Sequence, residues 1–311
     1  MVQDPIVNIP ANDDISSDKL EITTMTGCPV MCTICPQENL KENYNSDEKY
    51  LSLENFKKAL STVPKNLLIN FAGYSEPFAN KECLSMIEYA LEQGYAVGLY
   101  TTLYKVTEDT AKRLIELKKQ YKTFCRFYIH LADSSNNMPG FKVTPEYLNV
   151  LSLIDTSLND IVYMTMDEDN QPNIEITKLN IEPTPWIYLD RAGNLNTDNP
   201  VIKQKHWKNE FIVECVESKT HNNNNLLPNG DLSLCCMDYG LKHIVGNLLK
   251  QSYQEIREGE ELKRIKESNN TIGFHTDVLC RTCSVSKDRT PWNDEEVYEM
   301  VKQTNPDILG L

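Results

Sequence analysis

The sequence contains no long hydrophobic run, and it has fewer basic than acidic residues. None of its apolar stretches reaches the roughly 18 residues that a membrane-spanning helix needs. Its 31 Lys and Arg residues are outnumbered by 45 Asp and Glu residues, which gives a formal net charge of −14. Nucleic acids and anionic membrane surfaces select basic proteins, so this charge argues against both as partners.

The N-terminal segment MVQDPIVNIPANDDISSDKL lacks both the basic and the apolar region of a signal peptide. We therefore expect a cytoplasmic protein. The chain nevertheless has ten cysteines. In a reducing compartment these should be free thiols or metal ligands and not disulfides.

Short apolar, β-branched or aromatic runs alternate with helix-like stretches along the first two thirds of the chain. Strands that alternate with helices are typical of a parallel sheet, so the sequence predicts an α/β fold with a parallel sheet or a partial barrel. The predicted strands are Leu20–Thr24, Leu67–Phe71, Ala96–Tyr100, Phe127–Leu131, Ile161–Met166 and Trp186–Leu189.

Capping residues mark the helices between these strands. Ser52 and Thr107 are predicted N-caps, and Gly94 follows the end of the second helix. The pattern changes near residue 200, after which LLPNGDLSLCC predicts a hairpin that turns at Asn229-Gly230. One helix is predicted over 252–268, and the polar tract HNNNN at 221–225 is predicted to be a loop. The expected divisions are an N-terminal tail at 1–17, a barrel at 18–200, a small α+β domain at 201–290 and a helical tail at 291–311.

Three cysteines, Cys28, Cys32 and Cys35, lie close together directly after the first predicted strand. A disulfide needs an even number of cysteines and an oxidising compartment. A structural zinc site needs four ligands, usually as two pairs. An iron–sulfur cluster held by three thiolates is the third possibility, and it leaves one iron open to another ligand. The C-terminal ends of barrel strands carry active sites, so the position favours chemistry.

Four further cysteines come from separate segments of the C-terminal region. They are Cys215, Cys235 after the predicted hairpin, and the C-x2-C pair Cys280 and Cys283. Four such thiols suit a complete [4Fe–4S] cluster. A zinc site is equally compatible with the spacing alone.

The C-x3-C-x2-C spacing after the first strand resembles that of the radical S-adenosylmethionine (SAM) enzymes. The resemblance implies a partial (β/α)6 TIM-like barrel in which the three cysteines hold a [4Fe–4S] cluster. SAM would then bind the open iron through its amino and carboxylate groups. The segment FAGYSEPF resembles the G-G-E-P segment that binds the SAM amino group, with Ser75 in place of a common glycine. The matching residues are Gly73, Tyr74, Ser75, Glu76 and Pro77.

Four more residues match SAM-binding positions of that family. Thr102 in YTTL takes the place of the Asn of a T-N turn, and His130 in YIHLAD stands where the family often has Ser. Arg191 lies in RAGN and is expected to pair with the SAM carboxylate, as a planar guanidinium can. Ile34 is the apolar position that flanks the adenine. Packed core residues and a surface ion pair remain the alternatives for His130 and Arg191 respectively.

The C-terminal pattern resembles the SPASM/Twitch extension of many radical SAM enzymes. A full SPASM extension holds two clusters, but the four well-placed cysteines here match the shorter Twitch version with one auxiliary [4Fe–4S] cluster. Cys83 and Cys125 are expected in the core. The role of Cys236 remains open: its side chain could pack in the core, compete for iron, or act as a catalytic hydrogen donor.

The resemblance also implies a reaction. A flavodoxin or ferredoxin would reduce the first cluster, SAM would be cleaved to a 5′-deoxyadenosyl radical, and the radical would abstract a substrate hydrogen. Dehydrogenation of a small sugar- or cyclitol-like molecule is the expected outcome. The alternatives are an epimerase, a maturase that forms thioether or C–C crosslinks in a peptide, and a non-catalytic iron–sulfur electron carrier. Few residues precede the first strand, so no fused peptide-recognition domain is expected.

Overall fold

The structure, a computed structural model, describes residues 18–166, 170–184, 191–195, 212–216, 218, 221–272 and 277–288. The sixth predicted strand, Trp186–Leu189, and both predicted tails lie outside these residues. No helix in the described ranges is both long enough and apolar enough to cross a membrane.

A parallel sheet forms the centre of the fold, as the alternating pattern predicts. The first five predicted strands are present to within a few residues, and each pairs in parallel with the next. The mixed α/β fold with a parallel core is therefore confirmed. These strands are β1 (Lys19–Ile22), β2 (Leu68–Phe71), β3 (Ala96–Thr101), β4 (Phe124–His130) and β5 (Val162–Met164).

The sheet continues on the other side of β1 with strands from the C-terminal region. The prediction of a loop at 221–225 is wrong, because Asn223–Asn225 belong to a strand, β7 (Asn223–Leu226), which pairs in parallel with β1. A run of asparagines predicts a solvated loop, but here buried groups form hydrogen bonds with some of the side-chain amides. Asn225 Oδ1 accepts a hydrogen bond from Thr23 Oγ1 at 2.7 Å, and Asn224 Nδ2 donates to the Leu234 carbonyl at 2.8 Å.

The predicted hairpin at Asn229-Gly230 is present and completes the eight-stranded sheet. β7 (Asn223–Leu226) is antiparallel to β8 (Asp231–Ser233), which is antiparallel to β9 (Ile244–Asn247). A separate two-stranded sheet joins β6 (Val213–Cys215) to β10 (Ser286–Asp288).

The predicted caps are confirmed, but the last predicted helix is two helices. Ser52 and Thr107 side chains accept the backbone N–H groups of Asn55 and Thr110, and Gly94 has a φ of +80° after its helix. Gly259 divides the helix predicted over 252–268 because its extended backbone, with ψ of 153°, is the N-cap of a new helix. The helices are α1 (Gln37–Asn43), α2 (Leu53–Leu60), α3 (Cys83–Glu92), α4 (Glu108–Gln120), α5 (Pro145–Ser157), α6 (Ile174–Thr177), α7 (Tyr253–Arg257) and α8 (Glu260–Asn269).

The two faces of the parallel sheet differ in polarity. Leu20 and Ile22 of β1 are fully buried in the main hydrophobic core, as are Ile69 of β2 and Val97 of β3 on the same face. Successive side chains of a strand point to opposite faces, so Glu21 lies on the other side. Its cross-strand neighbours there are Asn70 of β2 and Asn225 of β7. The face away from the core is therefore polar, and it leads to the strand ends where the predicted site residues lie.

Candidate active site

The loop that carries Cys28, Cys32 and Cys35 is fixed against the loop that follows β4. The Thr33 amide donates to the Asn137 carbonyl at 2.9 Å, and the Thr33 hydroxyl donates to Asn137 Oδ1 at 2.7 Å. Further along, the Gly140 amide donates to the Val30 carbonyl at 3.0 Å. These contacts fix the cysteine loop at two points on either side of Cys32.

Gly140 allows this approach because it has no side chain. A Cβ at this position would overlap the Pro29 carbonyl oxygen and lie 2.9 Å from that of Val30. A backbone oxygen cannot rotate away, so Gly140→Ala should displace the cysteine loop and destabilise the protein by about 1–3 kcal/mol. We expect lower iron content at the first cysteine site, measured after anaerobic reconstitution, and a lower urea midpoint. Gly240→Ala is the control, since its nearest neighbour would be 3.5 Å away. Equal iron and equal stability in both variants would contradict this account.

Hydrogen-bond donors surround two of the three sulfurs. The Glu76 amide donates to Cys28 Sγ at 3.3 Å, and Gln37 Nε2 donates to Cys35 Sγ at 3.3 Å. Gln37 also accepts the Cys28 amide through Oε1 at 3.3 Å, and the Tyr239 hydroxyl lies 3.4 Å from Cys35 Sγ. Donors aimed at sulfur suit thiolates that bind a metal, because such partners orient the ligands and stabilise their negative charge.

Burial keeps the Cys28 and Cys32 thiols protonated when no metal is bound. Burial raises the pKa of Cys28 to about 11. Hydrogen bonds from the Glu76 and Val30 amides lower this pKa and so offset part of the rise. Burial also raises the pKa of Cys32, and the nearby Cys35 and Cys28 raise it further. Cys35 is thus close enough to Cys28 and Cys32 to raise the pKa of both thiols. A metal cluster would displace their protons and remove this cost, so the donor set fits an iron–sulfur cluster.

Glu76 and Thr102, both predicted to contact the cofactor, bind each other. The buried Glu76 carboxylate accepts the Thr102 amide at 2.7 Å, the Thr102 hydroxyl at 2.9 Å and the Thr101 hydroxyl at 2.5 Å. Burial raises the pKa of Glu76, and these hydrogen bonds oppose the rise. The two side chains hold the ends of β2 and β3 together, which leaves backbone groups as the means by which this segment could contact a cofactor.

Gly73, Tyr74 and Ser75 lie at the end of β2. Gly73 has a φ of +61°, and a Cβ there would lie 2.5 Å from Thr23 Oγ1. Ser75 Oγ accepts the Met25 amide at 3.3 Å. The Tyr74 side chain is fully buried, and its hydroxyl donates to the Cys235 carbonyl at 2.6 Å. Tyr74 therefore points toward the second set of cysteines.

Arg191 lies between the two sets of cysteines. Three successive residues, Arg191 to Gly193, have φ values of 51°, 54° and 81°. Asn194 fixes this turn, since its Nδ2 donates to the Arg191 carbonyl at 2.7 Å and to the Met237 carbonyl at 3.1 Å. The guanidinium lies 6.0 Å from the centre of the Tyr239 ring. Among the described residues, its buried Nε has no hydrogen-bond partner, so it retains a donor for an incoming anion.

His130 and Ile34, the other predicted contacts, lie beside this region. Burial and the Arg191 guanidinium lower the pKa of His130 to about 4, so its imidazole is neutral at pH 7. Ile34 is half-buried between Cys32 and Cys35 in the cysteine loop. The roles of both residues as cofactor contacts stay predictions.

The second predicted set of cysteines surrounds one cavity. Cys215 of β6, Cys235 after β8, and Cys280 and Cys283 around a 3-10 turn all line this cavity. Cys236 lines the same cavity. Burial raises the pKa of Cys280 to about 11. Burial also raises the pKa of Cys235, and the nearby Cys236, Cys283 and Cys280 raise it further. Four thiols that line one cavity again fit a cluster that would replace their protons.

Buried polar contacts hold the 3-10 turn in place. His243 Nε2 accepts the Leu279 amide at 3.1 Å, directly before Cys280, while its Nδ1 faces Glu261 Oε1 at 2.8 Å. The Asp238 carboxylate accepts the His243 amide at 2.8 Å. The segment after Cys235 is thereby connected to the segment that carries Cys280.

The sequence analysis missed Gln37, Gly140 and Tyr239. Gln37 is two residues from Cys35, so its proximity to the site was readable from the sequence. Tyr239 is separated from Cys35 by 204 residues, and no spacing rule connects them.

Comparison with known proteins agrees with this arrangement. Residues 215–284 match the family SPASM, described as an iron–sulfur cluster-binding domain. BtrN in complex with AdoMet and 2-DOIA has a TM-score of 0.58 at 16% identity, covering 87% of this chain and 94% of that one. Native anSMEcpe with bound AdoMet has a TM-score of 0.52 at 11% identity, covering 94% of this chain and 98% of that one. Streptococcus suis SuiB bound to its precursor peptide SuiA has a TM-score of 0.56 at 12% identity, covering 88% of this chain and 71% of that one.

The chain thus has the fold of the radical SAM enzymes, to which these structures belong. It carries a SPASM iron–sulfur cluster-binding domain at residues 215–284, so the resemblance predicted from the sequence is confirmed. A curated relative in Pyrococcus furiosus is a tungsten-containing aldehyde ferredoxin oxidoreductase cofactor-modifying protein. It is 28% identical over 101 residues, which are 32% of this chain and 27% of that protein. The match spans only about a quarter of that relative.

Arg191 gives a direct test of the predicted cofactor contact. If its guanidinium binds the SAM carboxylate, Arg191→Ala should weaken SAM binding about tenfold or more, because a hydrogen bond to a charged group contributes about 1.5–3 kcal/mol. Arg191→Lys should recover little, since a point charge does not reproduce a planar fork. Equilibrium dialysis with labelled SAM measures the effect. Arg113→Ala, which removes a partly exposed ion pair with Glu88, is the control. Unchanged affinity in Arg191→Ala would show that the carboxylate binds elsewhere.

Proposed function

We propose that this protein is a radical SAM enzyme that dehydrogenates a small sugar- or cyclitol-like molecule. The observation that carries the proposal is the presence of two separate thiol sets in one fold. Three thiols lie at the C-terminal end of β1, and four surround a cavity within the segment that matches the SPASM domain. BtrN, whose structure contains AdoMet and 2-DOIA, has the same fold and supports a small-molecule substrate.

Each set of cysteines has residues suited to hold an iron–sulfur cluster. Cys28, Cys32 and Cys35 would bind the first [4Fe–4S] cluster, and the Gln37 side chain and Glu76 amide would donate to its thiolates. Arg191 would bind the SAM carboxylate, and the strand end at Gly73–Pro77 would face the amino group. When bound, SAM and the first cluster supply a radical that takes a hydrogen atom from an unactivated C–H bond, and the second cluster supplies a one-electron acceptor.

The protein's own contribution is orientation and exclusion of water. The neutral His130 beside Arg191 adds no second positive charge, so the guanidinium remains the local cation for a carboxylate. Cys215, Cys235, Cys280 and Cys283 would hold the auxiliary [4Fe–4S] cluster with four protein ligands. Such a cluster has no open position for substrate, which favours electron transfer. A flavodoxin or ferredoxin is the proposed reductant, and the proposed domain boundary stays near residue 200.

Two other reactions of the same class have specific support. Cys236 lines the auxiliary cavity beside the proposed cluster, and its thiol could return a hydrogen atom to a substrate and so make the enzyme an epimerase. SuiB, which has the same fold, is bound to a precursor peptide, which favours a peptide-modifying enzyme as a further candidate.

One experiment separates the enzyme from a non-catalytic iron–sulfur carrier. The full chain should be purified anaerobically, reconstituted with iron and sulfide, and incubated with SAM and dithionite. We expect about eight irons per chain, as two four-iron clusters require, and formation of 5′-deoxyadenosine. Full iron content without 5′-deoxyadenosine would support the carrier. Bound zinc and a colourless protein would contradict both functions.

A further inference from the structure

Tyr239 connects the two sets of cysteines. Its hydroxyl lies 3.4 Å from Cys35 Sγ of the first set. Along the chain it follows Cys235 of the second set by four residues, in a turn closed by the hydrogen bond from the Asp238 amide to the Cys235 carbonyl at 3.1 Å. A displacement of this turn would therefore move the Tyr239 hydroxyl relative to Cys35.

The Tyr239 ring is held on one side by Tyr74. The two ring centres are 4.5 Å apart, and Tyr239 is only 4% exposed. Tyr74 is itself fixed at both ends. Its hydroxyl donates to the Cys235 carbonyl and contacts Ser233 Oγ at 2.9 Å, and its carbonyl accepts Gln37 Nε2 at 2.6 Å. Because both rings are buried and Tyr74 is bonded at each end, packing restricts movement of the Tyr239 ring.

Gln37 contributes a second contact to the same sulfur. Its Nε2 donates to Cys35 Sγ at 3.3 Å, in addition to the Tyr74 carbonyl. A free Cys35 thiol can donate to Tyr239, but an iron-bound thiolate has no proton and can only accept. On loading, both the Tyr239 hydroxyl and the Gln37 amide would therefore donate to this sulfur. Hydrogen bonds to cluster sulfurs stabilise the reduced, more negative state and so raise the reduction potential.

We propose that Tyr239, together with Gln37, is a positioning residue that sets the reduction potential of the cluster held by Cys28, Cys32 and Cys35. Because Tyr239 belongs to the turn that begins at Cys235, the potential of the first cluster depends on the position of a ligand segment of the second. The inference rests on the proposed function, in which these three cysteines hold a SAM-binding cluster.

The test is a redox titration followed by electron paramagnetic resonance on the full chain with both clusters. The first cluster is identified as the one whose signal changes when SAM is added. Tyr239→Phe removes the hydroxyl and keeps the ring on Tyr74. At the same applied potential, its ratio of reduced to oxidised first cluster should fall about three- to tenfold, where tenfold equals 59 mV for one electron. The second cluster should not change. Tyr50→Phe, at a residue 57% exposed, is the control and should match the wild type.

Each other outcome is decisive. An unchanged first-cluster potential in Tyr239→Phe with full iron content overturns the proposal. Loss of iron from the second cluster alone also overturns it, because Tyr239 would then only support the Cys235 turn. If the first cluster does not assemble in Tyr239→Phe, Gln37→Leu decides: a shift in the same direction supports the proposal and an unchanged potential overturns it. A wild-type protein without any SAM-sensitive signal instead defeats the proposed function.

Discussion

Replacing Cys28, Cys32 and Cys35 together by alanine should abolish SAM cleavage and leave about half of the iron bound, since each four-iron cluster has its own thiolates. The two sets lie in different parts of the chain. The first is in the loop after β1, and the second lines the cavity formed by β6, the segment after β8 and the 3-10 turn. Loss of the first set therefore leaves every proposed ligand of the second in place.

This experiment measures iron, sulfide and 5′-deoxyadenosine after anaerobic reconstitution. Cys125→Ala is the control, because Cys125 is a partly buried thiol whose Sγ contacts the Val97 carbonyl at 3.4 Å and belongs to neither set. It should retain full iron content and SAM cleavage. Continued SAM cleavage by the triple variant would show that the cofactor does not bind at these cysteines.

Replacing Cys280 and Cys283 by alanine should abolish product while uncoupled SAM cleavage persists. In a dehydrogenase the second cluster accepts the second substrate electron, so its loss stops oxidation after hydrogen abstraction. The first cysteine set would remain intact in this variant. Cleavage of SAM without substrate oxidation, measured as 5′-deoxyadenosine against product, would be the expected signature. Product formation at the wild-type rate would exclude the auxiliary cluster as the electron acceptor.

Cys236→Ala distinguishes the dehydrogenase from the epimerase. In a dehydrogenase no hydrogen returns to the substrate, so this variant should be nearly silent, apart from a packing loss of about 1 kcal/mol. In an epimerase it should stop turnover, and product made by the wild type in deuterated water should carry one deuterium at the inverted carbon. Cys236 lines the auxiliary cavity, and it also lies close enough to Arg191 and Tyr239 to affect their ionisation. Deuterium in the product together with an inactive Cys236→Ala would favour the epimerase.

Local patterns in the sequence predicted much of the parallel sheet and the helices between its strands. The apolar runs that become β1 to β5 have buried residues on the core face, and the caps at Ser52 and Thr107 depend only on neighbours three residues away. The helix over 252–268 was wrong because a helical pattern continues across Gly259, while the backbone there is extended. The loop at 221–225 was wrong because asparagines favour solvent unless tertiary partners satisfy them. Those partners, Thr23 and the Leu234 carbonyl, lie in other strands.

The sequence by itself determined the chemistry available to this protein: three thiols after the first strand, four in the C-terminal region, and Arg191 between them along the chain. Such information is local, because spacing and neighbouring residues define a ligand set. Only the tertiary structure decided how the sets are related. It places β7 beside β1, directs Tyr74 toward Cys235, and brings Tyr239 to Cys35 across 204 positions of sequence. These contacts depend on strand pairing and on the packing of buried rings, which the spacing of residues along the chain does not specify.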